Sequence, residues 1–307
     1  MPAHFEPAAA EYPSLMFPSS QRAAWSLLSA CLLGAASVLL MPACEEVAPP
    51  IIGVVVVVDT TFVDPVLPAP QQRIVLLEDF TGVRCVNCPQ AHELAKEISD
   101  DNPGRVVAVS EHNYFEGGFP NSDEDFRNDD AYAIDNLLGP TSLWPIGVVN
   151  RKLFSGEPAI LLVLAKWTGY VESELAEAPV VNVSMEATLD RANRKVTVIV
   201  EAHFLEDVTE DLRLSVMLNE NGIIDPQQTQ TGVVDDYVHN HVLRAMPTPS
   251  TGAVITSTTE AGRVIRRGYE IDVAPIWNID ELEVVAFIHE GQIDRKAVLQ
   301  TTLAELE

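Results

Sequence analysis

The sequence predicts an α/β unit followed by an all-β sandwich, and three observations carry that reading. From residue 73 to 178, short apolar runs alternate with helix-period segments. From residue 179 to 307 the texture changes to short runs of period-2 character separated by turn residues, the pattern of a β-sandwich. The chain has 307 residues, 47% of them hydrophobic, enough for two domains with cores of their own.

The first element is an address. Ala23 to Leu40 is an uncharged apolar run, preceded by Arg22 and followed by "MPAC". A short basic flank, an apolar stretch and small residues before a cut describe a secretory signal over residues 1–43. Cys44 at the cut resembles the lipidated cysteine of bacterial lipoproteins, with a plain signal peptide or a membrane anchor as alternatives. Glu6 and Glu11 do not suit the start of a signal, whereas a start at Met16 gives the conventional "MFPSSQR". Cys31 then leaves with the signal and Cys44 carries lipid. Cys85 and Cys88 remain the only thiols of the mature chain, in a disulfide-permissive compartment.

Residues 44–72 are a proline-rich linker that spaces the body from its anchor, and the valines at 54–58 suit an edge strand. Ile74 to Leu77 and Val106 to Val109 read as buried strands. Between them, Ala91, Leu94, Ala95 and Ile98 recur at helical spacing over 90–100, before "DDNPG". Residues 111–140 read as an acidic loop. Asp123 and Asp125 begin like a calcium loop, but the glycine and closing glutamate of such a loop are missing. Ile146 to Val149 is a short strand. A helix is expected over 158–175, with Ile160, Val163, Leu164, Trp167 and Val171 on one face. Seven strands follow, in "VVNVSMEATL", "KVTVIVEAHF", "LRLSVML", "GAVITSTT", "YEIDVAP", "LEVVAFIHE" and "AVLQTTL".

The formal charge of −26 excludes most chemistry with phosphate backbones, so no nucleic-acid partner is expected. No glycine-rich phosphate loop and no Ser-His-Asp pattern stands out, and no cofactor is expected.

The chemistry concentrates in "EDFTGVRCVNCPQAHE". In a helix that starts near Cys85, unpaired backbone N–H groups and the charge of Arg84 favour the thiolate. Cys88, one turn later, can reach back to form a disulfide through a mixed-disulfide step. As a staple, so small a ring contributes only roughly 2 kcal/mol before strain. A metal reading competes: Cys85, Cys88 and His92 have a C-x2-C-x3-H spacing suited to copper(I) or zinc. His239 and His241 would point to one side of a strand, and His112 follows a strand end from which it could approach the dithiol.

The stretch "LLEDFTGVRCVNC" resembles the thioredoxin-fold motif. The resemblance implies Cys85 as attacking thiol, Cys88 as resolving thiol, Asp79 as proton relay and Pro145 as a cis-proline facing the dithiol. Arg84 replaces the family's tryptophan and Val86-Asn87 its Gly-Pro. Together with "PIGVVNR", "DYVHNHVLR" and "VVAFIHE…AVLQ", the chain resembles an outer-membrane lipoprotein family named for a 28-kDa protein of Bacteroidetes-type bacteria. That resemblance implies a lipidated protein of the outer membrane, on its periplasmic or surface face. A thioredoxin-like domain would precede an immunoglobulin-like β-sandwich. The expected function is a thiol–disulfide centre acting on cell-envelope proteins or peptides. The alternatives are a non-catalytic surface binding or assembly lipoprotein, and a copper or zinc carrier.

Overall fold

The structure, a computed structural model, describes residues 55–113, 119, 121–292 and 294–306. The expected signal at 1–43, with Met16 and Cys31, the lipidated Cys44 and the linker as far as residue 54 lie outside the described residues. The described residues belong to one compact unit, Pro50–Glu307. It is mostly β-sheet with few helices.

One sheet has four antiparallel strands in the order β1 (Val55–Val63), β12 (Arg263–Asp272), β6 (Lys195–Phe204) and β5 (Val181–Asp190). The valine run thus opens an edge strand. A larger sheet runs β14 (Val298–Glu305), β13 (Leu282–Glu290), β7 (Leu212–Glu220), β10 (Val242–Ala245), β3 (Val106–His112), β2 (Val75–Thr81) and β4 (Ile146–Val149). The two-residue β11 (Ala253–Val254) also pairs with β7. β8 (Ile223–Thr229) and β9 (Gly232–His239) form a separate hairpin.

Alternation of side chains across the strands explains why the larger sheet sits in the middle. Leu214, Val216 and Leu218 of β7 face the four-stranded sheet and build one core with Val196, Val198 and Val200. Met217, from the other face of β7, joins Leu76, Phe80, Val107 and Val109 in a second core. A third core lies on the opposite face of β2, where Val75 and Leu77 meet helix α1 (Cys88–Asp101) and helix α3 (Trp167–Leu175). The boundary expected at residue 178 is therefore not a break in the sheet. β10 pairs with β7 on one side and β3 on the other, so strands from both expected domains share one hydrogen-bonded layer.

Several local expectations are corrected. The helix expected from 158 begins only at Trp167, after a 3-10 turn at Leu164–Lys166. Leu162 is extended and pairs with Gly147, with N–O distances of 3.1 and 2.7 Å. The expected loop 111–140 contains helix α2 (Asp129–Leu138). Asn128 caps it, accepting from the Ala131 N–H at 2.7 Å, and Asp129 and Asp130 suit its positive end. Of the calcium-loop acids, the Asp125 carboxylate accepts from Arg127, and the Asp123 backbone N–H donates to Asp225. β8 has no counterpart among the expected strands, and the strand expected through His239 and His241 is split into β9 and β10 by a turn at 240–241.

Candidate functional site

β2 ends at Thr81, and seven residues later the chain enters α1 at Cys88, with Pro89 in the first turn. Proline is preorganised there and lacks a donor that would otherwise go unpaired. The intervening turn is closed by Cys85 N–H to the Gly82 carbonyl (3.0 Å) and Cys88 N–H to the Cys85 carbonyl (3.3 Å). Cys85 and Cys88 form a disulfide, with Cα atoms 5.4 Å apart. The helix does not start at Cys85 as expected; Cys85 lies in the turn ahead of it. Nor is Cys85 open to solvent: it is 7% exposed and Cys88 0%. The Arg84 guanidinium lies 5.0 Å over the Phe119 ring.

Across β2 from this turn runs β4, with Phe80 opposite Ile146. The preceding Trp144–Pro145 peptide bond is cis. The register brings Pro145 level with Thr81, at the sheet end from which the cysteine turn departs. Gly147, opposite Asp79, gives Trp167 room: a Cβ there would stand 2.5 Å from the Trp167 ring and 2.6 Å from the Glu78 carbonyl oxygen.

Asp79, Thr81 and His112 share the α1 side of the sheet. Asp79 is 2% exposed, and neither carboxyl oxygen has a hydrogen-bond partner among the described residues. Burial pushes its pKa well above the ordinary carboxylate value. His92 of α1 stands 3.6 Å away through Nε2. The same nitrogen shares a 2.7 Å hydrogen bond with the Thr81 hydroxyl, and Nδ1 one of 2.8 Å with the Tyr237 hydroxyl. Burial, then the charge of His239, lowers the His92 pKa to about 3. Burial raises Tyr237 to about 12, helped by the charges of Asp79 and Glu93.

The β8–β9 hairpin straps the cysteine turn. The Gln227 amide donates to the Cys85 carbonyl (3.1 Å) and the Gly82 carbonyl (3.4 Å), and the Gln228 N–H to the Val83 carbonyl (2.7 Å). Sequence reasoning missed Gln227 and Tyr237. For Tyr237 a signal existed: it stands two residues before His239, which sequence reasoning singled out, on the same strand face.

The histidines divide. His239 is buried at the end of β9, with its ring 4.6 Å from Phe126 and 5.8 Å from His112. His241 lies in the following turn at φ 56° and bonds Glu283 at 2.9 Å, so the two do not share a strand face. His112 stacks on Phe126 at 4.8 Å. The C-x2-C-x3-H set is not assembled for a metal, because both sulfurs are bonded to each other and both His92 nitrogens are engaged. Among the described residues no group of three or more His, Cys, Asp or Glu is arranged to hold one.

The opposite face of the same strands buries a charge cluster. Arg151 holds Glu78 through both carboxylate oxygens, Nε lying 2.8 and 3.0 Å from them, with both side chains fully buried. Glu111, on the same face, has no hydrogen-bond partner among the described residues. Burial, then the charge of Glu78, pushes its pKa well above the usual range.

A family model described as outer membrane protein Omp28 matches residues 133–306, more than half of the chain. The match begins after the cysteine turn and takes in Pro145, Gln227 and Tyr237. No curated protein matches. Among solved structures, HBP35 of Porphyromonas gingivalis is 19% identical with a TM-score of 0.60, over 76% of this chain and 76% of that one. A protein of Agrobacterium tumefaciens is 14% identical with a TM-score of 0.47, over 76% of this chain and 96% of that one. At this identity the first likeness is one of fold, and the second carries no further argument.

Proposed function

The chain belongs to the Omp28 outer membrane protein family, and on that premise we propose that it is an exported lipoprotein carrying a thioredoxin-like thiol–disulfide centre. In this reading the signal at 1–43 is removed, Cys44 takes the lipid, and the body at 73–178 and the sandwich at 179–307 stand on the linker 44–72. The partners are proteins or peptides of the cell envelope.

One observation carries the redox half. A disulfide between Cys85 and Cys88 precedes the N-terminus of α1, above a buried unpartnered Asp79 and at the sheet end that bears a cis Pro145. In the reduced protein, the helix N-terminus favours the Cys85 thiolate. That thiolate attacks one sulfur of a substrate disulfide, forming a mixed disulfide and releasing the other sulfur as a thiolate, which takes a proton from water. Asp79, once ionised, is a stronger base than an ordinary carboxylate because burial raises its pKa; in that form it takes the proton of Cys88, whose sulfur then attacks Cys85 Sγ. The second substrate thiol leaves, the Cys85–Cys88 bond forms, and two electrons have passed to the substrate. An external dithiol restores the reduced pair. The test is reduction of insulin by dithiothreitol with protein lacking the signal. Catalysis is expected, with its loss in Cys85→Ser; a rate equal to wild type in that variant rules out the role of Cys85.

The burial of Cys85 under the hairpin favours a second reading, a surface binding or assembly lipoprotein in which the disulfide only fixes the turn. A disulfide that stays intact in a glutathione buffer supports that reading over the first.

A further inference from the structure

Beside the cysteine turn opens a cleft of about 940 Å³, bounded by α1, β3, β14 and the β8–β9 hairpin. Its wall is apolar where Val106 and Ala108 of β3, Ala95 of α1 and Leu303 of β14 line it. Asp79, His112 and Ser99 also line it. His112 is 3% exposed, and neither of its ring nitrogens has a hydrogen-bond partner among the described residues. The same holds for both Asp79 oxygens and the Ser99 hydroxyl. Buried polar atoms are ordinarily paired. Several unpaired ones converging on a single space of small-molecule size mark a place where a guest supplies the missing bonds.

The chemistry of the walls selects the guest. Burial keeps Asp79 toward its neutral form and, with the charges of His239 and His92, pushes the His112 pKa well below its ordinary value. The interior thus offers hydrogen bonds without a counter-charge, and an ion entering it loses hydration for nothing in return. At the rim stand Glu93, Asp100 and Glu305, with Lys96 already bridged to Asp100. Anions are therefore repelled before they enter.

We propose that this cleft is a binding site for a neutral, largely apolar small molecule whose single polar end lies against Asp79 and His112. No thiol takes part, so the inference does not rest on the redox reading, and either can fail alone.

The test titrates the disulfide-bonded full chain with the neutral fluorophore N-phenyl-1-naphthylamine and with its anionic relative 8-anilinonaphthalene-1-sulfonate. Ala108→Phe fills the apolar wall and Ser99→Trp narrows the mouth from α1. The apolar run at 23–40 is common to every form, so the difference between forms is what is read. Saturable binding of the neutral probe is expected, weakened about tenfold or more by each variant and about tenfold or more for the anion. An affinity in Ser99→Trp within about twofold of wild type overturns the proposal, whatever Ala108→Phe does. So does an anion that binds as tightly as the neutral probe.

Discussion

Replacing Arg151 with methionine tests the electrostatics that hold the sheet beneath the cysteine turn. Arg151 and Glu78 are fully buried, and the guanidinium fork reaches both carboxylate oxygens while lying 4.8 Å over the Phe287 ring. Burial alone would lower the Arg151 pKa; the ion pair with Glu78 outweighs it and raises it. Removing one partner of a buried pair leaves a charge with neither water nor counter-ion, at a cost of about 3–5 kcal/mol. With a urea slope of about 3 kcal/mol per molar, the unfolding midpoint of Arg151→Met falls by about 1–1.7 M.

The reverse substitution is expected to cost less, and Glu111 is the reason. It lies on the same face of the sheet, its pKa pushed up by burial and then by the charge of Glu78. In Glu78→Gln that charge is gone, Glu111 ionises, and Arg151 regains a counter-ion. The expected loss is about 1–2 kcal/mol, well short of a fully unpaired buried cation. Urea unfolding of the two variants, side by side at neutral pH, measures the asymmetry. Equal losses would refute the reserve role of Glu111. A loss under about 1 kcal/mol in Arg151→Met would refute the isolation of the cluster from water.

Gly147→Ala drives a Cβ against the Trp167 ring and a backbone carbonyl that cannot retreat without breaking the sheet. A loss of about 1–3 kcal/mol is expected in thermal unfolding, and no change would show that the strand shifts freely. Gln227→Ala removes both amide bonds to the cysteine turn. Dithiothreitol should then reduce the disulfide about threefold faster or more, followed by thiol trapping and mass spectrometry, and an unchanged rate refutes the strap. Asp79→Asn tests the raised carboxyl pKa. The folded state holds that proton more tightly than the unfolded chain, so its contribution is complete below the ordinary 3.8 and is lost as pH rises through the folded value. The melting temperature of the variant should therefore gain on wild type between about pH 4 and about pH 7; a constant gap contradicts it.

The parts of the fold legible in the sequence are those where one physical signal dominates. "KVTVIVEAHF" alternates except at Ile199, and β6 alternates buried with half-buried residues over the same span. "LEVVAFIHE" is continuously apolar at its centre because β13 is covered on both faces. β8 was not legible: "IIDPQQT" has little apolar character, and Pro226 stands where the register with β9 shifts between Asp225 and Gln227. In α2 the helical spacing of Ala131, Ile134 and Leu138 was present, but "NDD" ahead of it reads equally as acidic loop. The residues of the cysteine turn were legible because their chemistry is local. Gln227 and Tyr237 were not, because they lie about 140 residues away and reach the turn only through tertiary pairing.

That long-range pairing has a consequence for the site. β10 joins β3 to β7, so the strand carrying His112 is not an edge but an interior member of a layer that continues into the second half of the chain. The hairpin just before β10 is thereby fixed over the turn, where it supplies the cover for Cys85 and the hydroxyl that engages His92. Access to the disulfide is consequently a property of the hairpin rather than of the cysteine turn alone. In the thiol–disulfide reading, access to Cys85 depends on how firmly Gln227 and Gln228 hold the backbone carbonyls of the turn. Release breaks those bonds and disturbs the small cluster of Ile223 with Val83, Phe126 and Val242, while Ile224 and Val238 of the hairpin are already exposed. The hairpin is thus held by polar contacts to the turn and by one small apolar cluster, while the sheet beneath is held by larger buried cores and a buried ion pair. On this division the cover opens at lower cost than the layer that carries Asp79 and Pro145.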